Sequence, residues 1–142
     1  MKIQTHFYAL TPYANLLLIE SFLSWDERVT IQHFTDLKSL VFQFYMGKEW
    51  GLLHDGSNWE LSTPAAEQLA NELVKTEISG TLTHCAVVIG KSEIQKWQAR
   101  NIFKDVTNYE VEFFTDRQAA VTWLASAGYQ MSPLDDSETV EE

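Results

Sequence analysis

His84-Cys85-Ala86-Val87-Val88-Ile89-Gly90 is the stretch of this 142-residue chain that decides the fold. From Cys85 to Ile89 no polar residue interrupts it. A strand with one wet face alternates polar and apolar residues. A continuous apolar run belongs to a strand covered on both faces. Residues 84–90 are therefore expected to be the central strand of a sheet between helices. Ser92 through Gln95 has the S-x-x-Q spacing of a capping box and opens a helix marked by Ile94, Trp97 and Phe103. Upstream, Thr63-Pro64 starts another helix, with Thr63 as N-cap and Pro64 at the first position, where a missing N–H costs nothing. Ala66, Leu69, Ala70, Leu73 and Val74 form its apolar stripe, and Gly80 ends it.

The same reading extends to both ends. Residues 3–10 and 16–22 read as strands joined by a turn over Thr11-Pro12-Tyr13-Ala14-Asn15, an antiparallel hairpin. Ser24 through Glu27 is a capping box, and Phe34, Leu37, Val41 and Phe44 give the next helix its apolar face as far as Gly47. Residues 49–54 read as a strand, followed by a loop over Asp55-Gly56-Ser57-Asn58. Residues 109–114 alternate like a half-buried strand. Thr115 through Gln118 is a third capping box, and Ala120, Trp123, Leu124 and Ala127 share a helical face that Gly128 closes. The order is β-β-α-β-α-β-α-β-α, an α/β fold with a mixed, largely parallel sheet. Residues 1–130 are expected to form one domain, and residues 131–142 an acidic disordered tail.

Charge narrows the partners. The net charge is −10, and Asp135, Asp136, Glu138, Glu141 and Glu142 lie at the C-terminus. Without those five the balance is ten bases against fifteen acids, or −5. Such a surface repels phosphate backbones and anionic lipid headgroups, so neither nucleic acid nor membrane insertion is expected. The single cysteine, Cys85, cannot build an internal disulfide framework. No signal-peptide layout opens the chain, and no apolar run nears the roughly 20 residues of a membrane span. The protein reads as cytoplasmic.

The element order is similar to the STAS superfamily, in its SpoIIAA-like (anti-anti-sigma-factor-like) branch. Phe114-Thr115-Asp116, then Ala119-Ala120 and Trp123-Leu124, resemble that branch's closing strand-to-helix segment, and Ala86-Val87-Val88-Ile89-Gly90 fits the strand before it. The pattern covers residues 3–128, and local sequence likeness about 40 of them. The resemblance implies no metal, and action through protein contact or through a pocket between helix and sheet. It also implies a serine at the start of the second helix, phosphorylated within an Asp-Ser-Ser-Gly type motif. The matching stretch runs from Leu53 to Thr63 and lacks that motif. Ser57, Ser62 and Thr63 lie nearby and are the candidates for a phospho-switch.

The remaining clusters each have a plain structural reading. Gly90-Lys91-Ser92 follows a strand and opens a helix, but a phosphate loop needs a glycine where Cys85 stands, so Ser92 reads as an N-cap. His6, His33, His54 and His84 have no metal-ligand spacing, and no cofactor motif is present. His84 and Cys85 would point to opposite faces of a strand. His54, Asp55 and Ser57 fall at a strand's C-terminal end, where open α/β sheets place their sites. Trp50 and Trp59 flank them and are candidates to line an apolar pocket or a partner surface. These observations favour a non-enzymatic regulatory or binding module, acting on a protein partner or a small apolar ligand near residues 50–63. A small hydrolase or transferase using His54 and Asp55 is the alternative. An exposed edge strand over residues 3–10 offers a surface for a homodimer.

Overall fold

The computed structural model describes residues 1–76 and 80–134. Its sheet has six strands in sequence order: β1 (Ile3–Gln4), β2 (Tyr8–Pro12), β3 (Leu16–Trp25), β4 (Trp50–Ser62), β5 (Leu82–Ile89) and β6 (Glu110–Phe114). β1, β2 and β3 are antiparallel neighbours; β3 through β6 are parallel. The helices are α1 (Glu27–Phe44), α2 (Pro64–Thr76), α3 (Glu93–Phe103) and α4 (Arg117–Ser126).

The topology assigns each helix its face. Three successive crossovers, β3-α1-β4, β4-α2-β5 and β5-α3-β6, step across the sheet in one direction. Right-handed connections of that kind place all three helices on the same side. α4 follows the last strand and packs on the other side, against β4, β5 and β6. The core divides accordingly. Leu17, Ile19, Leu52, Cys85, Val87 and Ile89 pack toward α1–α3. Leu16, Leu18, Leu53, Ala86 and Val88 pack toward α4. Val87 and Val88 are 3% and 2% exposed, so β5 is covered on both faces as its apolar run requires.

Several expected elements differ in extent. The 3–10 strand breaks at Thr5, whose hydroxyl accepts from the amides of Phe7 and Tyr8, both at 3.1 Å. That local partner turns the chain back on itself. β2 is then paired on both sides, and the edge is the two-residue β1. Thr11 and Pro12 belong to β2, which leaves Tyr13, Ala14 and Asn15 as the turn. β3 runs three residues further than expected, so Ser24 is a strand residue whose hydroxyl donates to Glu60 Oε1 (3.0 Å). Asp26 caps α1 instead, accepting from the Val29 amide at 2.9 Å. Likewise Asp116, not Thr115, caps α4.

The largest difference is β4. Asp55-Gly56-Ser57-Asn58 is strand, not loop, and the element has 13 residues. Composition there favours a turn, but β3 pairs with it as far as Ser62 and β5 as far as Gly56. On α3, Ile94 and Trp97 are exposed, while Gln98, Ala99 and Phe103 are the buried side chains. Ser92 caps α3 as expected, accepting from the Gln95 amide at 3.4 Å. Gln95 does not complete the box, because its side-chain amide donates to the carbonyls of Trp59 and Glu60.

Thr63 caps α2, accepting from the Ala66 amide at 3.2 Å, and Gly80 takes φ +41° beyond the described end of that helix. Gly128 stops α4 with φ +98°. Of the stretch expected as a tail, Ser132 is tied down, its carbonyl accepting from the Ala14 amide at 2.9 Å. Asp135, Asp136, Glu138, Glu141 and Glu142 lie outside the described residues.

Tyr45, fully buried at the end of α1, anchors the β2–β3 turn. Its hydroxyl accepts from the Tyr13 amide (3.1 Å) and lies 2.7 Å from the Tyr13 carbonyl and 3.0 Å from that of Leu16. Tyr45→Phe removes the donor to these carbonyls in a site closed to water. It is expected to lower stability by about 1–3 kcal/mol. Urea unfolding would show a lower midpoint at unchanged slope.

Candidate functional site

Between the sheet and helices α1, α2 and α3 lies a cavity of about 60 Å³. Its lining is mainly apolar and includes Ile19, Leu37, Leu52, Val87 and Ala99. Trp25 and Trp59 supply its aromatic walls, and His33, His54 and Ser62 its polar members. Each arrives by the pleat or the helical period. His54 shares β4's helix-covered face with Leu52, two residues away. His33 lies one helical turn before Leu37 on the inner stripe of α1.

The two histidines differ in their bonding. His54 Nε2 is 3.1 Å from Ser21 Oγ, and Ser21 is itself buried. His33 is 2% exposed and enclosed by the rings of Trp25 (4.8 Å), Tyr8, Phe34 (each 5.0 Å) and His54 (6.2 Å). Its Nδ1 is buried with no hydrogen-bond partner among the described residues. Burial pushes the His54 imidazole down to about 4, against a smaller opposing pull from Asp55. Burial, and then the neighbouring His54, holds His33 well below the ordinary histidine range. Both rings are therefore neutral near pH 7.

The expected site residues divide between two faces. Trp59 and His54 reach the cavity. Trp50 does not: it is fully buried and stacked on Tyr45, ring centroids 5.0 Å apart. Asp55, adjacent to His54, points to the α4 side. One of its oxygens accepts from the amide and hydroxyl of Ser57 (3.0 and 2.6 Å), and the other from Arg117 (3.1 Å). Arg117 also reaches Glu20 at 3.3 Å. His54 and Asp55 therefore make no catalytic pair.

Of the three candidate hydroxyls, Ser57 is exposed but bonded to Asp55, and Thr63 is exposed at the α2 N-terminus. Ser62 ends β4, its backbone gripped on both sides by the Gln98 side chain at 2.8 Å. Among the other groups, Cys85 is buried in the core, where desolvation pushes its thiol up. His84 lies against Trp123 on the α4 side, away from Cys85. Among the described residues no three His, Cys, Asp or Glu side chains gather as a metal site would require. No described helix is long and apolar enough to cross a membrane.

Sequence reading missed His33, Trp25, Ser21 and Arg117. A histidine on the inner stripe of an amphipathic helix was the one visible signal; the others depend on pairings that sequence does not display.

No family model matches the chain, and no curated protein matches its sequence. Solved structures do. An uncharacterised protein of the DUF3478 family from Shewanella loihica, with a SpoIIAA-like fold, superimposes with a TM-score of 0.63. It is 20% identical, over 87% of this chain and 98% of that one. This chain has a SpoIIAA-like fold. The anti-sigma factor antagonist SpoIIAA in its unphosphorylated form agrees, with a TM-score of 0.54 and 11% identity over 83% of this chain and 97% of its own. The SpoIIAA-like fold expected from the element order is therefore the one observed.

Desolvated, neutral histidines make stability depend on pH, and His54, half-buried at the cavity, is the case in point. The unfolded chain takes up a proton near the ordinary value of 6.5, whereas folded His54 resists it until about 4. In that window the unfolded state binds more protons, so stability falls as pH drops from 6.5 toward 4. The loss attributable to His54 is on the order of 3 kcal/mol. His54→Gln, which cannot titrate, is expected to flatten this part of the curve in urea unfolding at stepped pH. Parallel curves for the two proteins would refute the assignment.

Proposed function

We propose that the chain is a non-enzymatic regulatory or binding module whose cavity between sheet and helices holds a small apolar ligand. The observation that carries this is the cavity itself, walled by Trp25, Trp59 and aliphatic side chains in an otherwise packed core. Protein interiors leave few voids larger than a water molecule. Small-molecule sites are apolar recesses with a few polar groups that orient the guest, and His33, His54 and Ser62 would fill that role here. The SpoIIAA-like fold and a chain without a membrane-spanning helix among its described residues are compatible with a cytoplasmic regulator.

Contact with a protein partner is a second reading. Ile94 and Trp97 are 59% and 61% exposed on the first turns of α3, and Gln95 between them is bonded to the end of β4 beside Trp59. Trp in such a position suits an interface anchor. Exposed Thr63, at the start of α2, and Ser57 are the hydroxyls through which phosphorylation would act on this rim.

Xenon titration of methyl-labelled protein tests the ligand reading. Saturable shifts are expected at Leu37, Leu52, Val74 and Val87, and Ala70→Leu, which grows into the cavity, is expected to abolish them while the fold is retained. Absence of any saturable shift in the unaltered protein would refute the reading.

A further inference from the structure

β6 ends the sheet in an edge guarded only by charge. Outer strands present unpaired N–H and C=O groups that accept a further strand, so natural sheets keep them very short, interrupt them with proline or bend them with a bulge. The opposite edge, β1, is two residues long. β6 has five residues and no proline or glycine, and it pairs with β5 from Glu110 to Phe114 without a shift of register. No described residue hydrogen-bonds to the outward side of its backbone. The pleat gives the strand two unlike faces. Val111 and Phe113, half-buried, pack at the margin of the helix-covered core, where the Arg100 guanidinium stands 5.9 Å from the centre of the Phe113 ring. Glu110 and Glu112 are exposed on the α4 side, and Phe114 follows them there against Trp123.

We propose that β6 is a docking edge for an extended segment of another protein, one with Lys or Arg at two alternate positions opposite Glu110 and Glu112 and apolar residues between them over Val111 and Phe113. Main-chain hydrogen bonds to an edge supply affinity, and alternate side chains supply specificity. Opposite charges facing each other across a ladder are favourable, and like charges are not. Arg100 confines the partner's bases to the α4 side. A second copy of this chain is a poor occupant. Antiparallel pairing centred on Val111 sets Glu110 against Glu112, and pairing centred on Glu112 sets that residue against itself. The chain's own C-terminal stretch cannot supply the bases, because no Lys or Arg follows Arg117. No β6 residue lines the cavity, so this edge and the ligand reading stand or fall separately.

The probe is the peptide acetyl-Thr-Lys-Val-Lys-Val-Lys-Thr-amide, added to the full ¹⁵N-labelled chain. Saturable amide shifts are expected at residues 110–114, with slowed hydrogen exchange at alternate positions of β6. The same peptide N-methylated at each Lys and Val keeps its charge but loses its donors, and is expected not to bind. Reversing both exposed charges, Glu110→Lys with Glu112→Lys, is expected to weaken the lysine peptide by roughly tenfold and to let a Glu-for-Lys version of it bind instead. If the methylated peptide binds as well as the parent, or if the shifts avoid β6, simple charge attraction is the cause and the proposal is overturned. It is overturned equally by the absence of saturable shifts, or by shifts of the β6 amides with protein concentration alone, which would make a second copy the occupant. The comparison of the two peptides uses the unaltered protein, so it decides the matter even should the charge reversal disturb the fold.

Discussion

A right-handed crossover that always steps the same way across a sheet leaves its helices on one side. That constraint organises this molecule. With β3, β4, β5 and β6 laid side by side in sequence order, α1, α2 and α3 have no other face to occupy. They form a thick layer over one surface, and the other is left to α4 and the segment after it. The cavity lies in the thick layer, where Trp25, Phe34 and Trp59 border it. Under α4 the packing uses smaller residues, Ala86 and Ala120, and closes on Leu53 and Leu124.

The pleat then sorts the polar residues of β4. His54 and Asp55 are neighbours in sequence, yet one enters an apolar enclosure and the other joins Ser57, Arg117 and Glu20 on the opposite face. Their electrostatic surroundings differ just as much. The carboxylate has a guanidinium and two donors from Ser57. The imidazole has one hydroxyl partner among hydrocarbon walls and is neutral. A pair that looks catalytic in one dimension is thus two separate devices, one ionic and one apolar.

Which parts were legible follows from how local their causes are. Five apolar residues in succession cannot be solvated on either face, so β5 could be read directly from Cys85–Ile89. Thr63 and Ser92 each act on an amide three residues away, and those helix starts were legible too. β4 was not. Asp55-Gly56-Ser57-Asn58 has turn chemistry, and only pairing with β3 and a guanidinium 62 residues downstream make it a strand. Gly56 fits the same explanation, since a Cβ there would sit 3.1 Å from the Val88 carbonyl. The caps of α1 and α4 were displaced by one or two residues for a related reason. Several polar residues stand together at each entry, and tertiary pairing chooses among them: β3 retains Ser24, leaving Asp26 to the helix. His33 was visible as a residue on the inner face of α1, but its surroundings come from four different elements.

The energetics of the cavity bear on why it persists. An unfilled 60 Å³ void costs about 1.4 kcal/mol at roughly 24 cal/mol per Å³. A buried nitrogen without a partner adds about 1–3 kcal/mol. Together these are a substantial part of the roughly 5–15 kcal/mol that holds a domain folded. Either defect could be removed by one substitution, a larger side chain at Ala70 or a phenylalanine at position 33, without disturbing the topology. A ligand that fills the void removes the first of them. At a hundred times its dissociation constant it returns about 2.7 kcal/mol, comparable to what the empty site gives up. The same residues that weaken the empty protein would therefore couple its stability to the presence of a guest, which is the property a small sensing module needs.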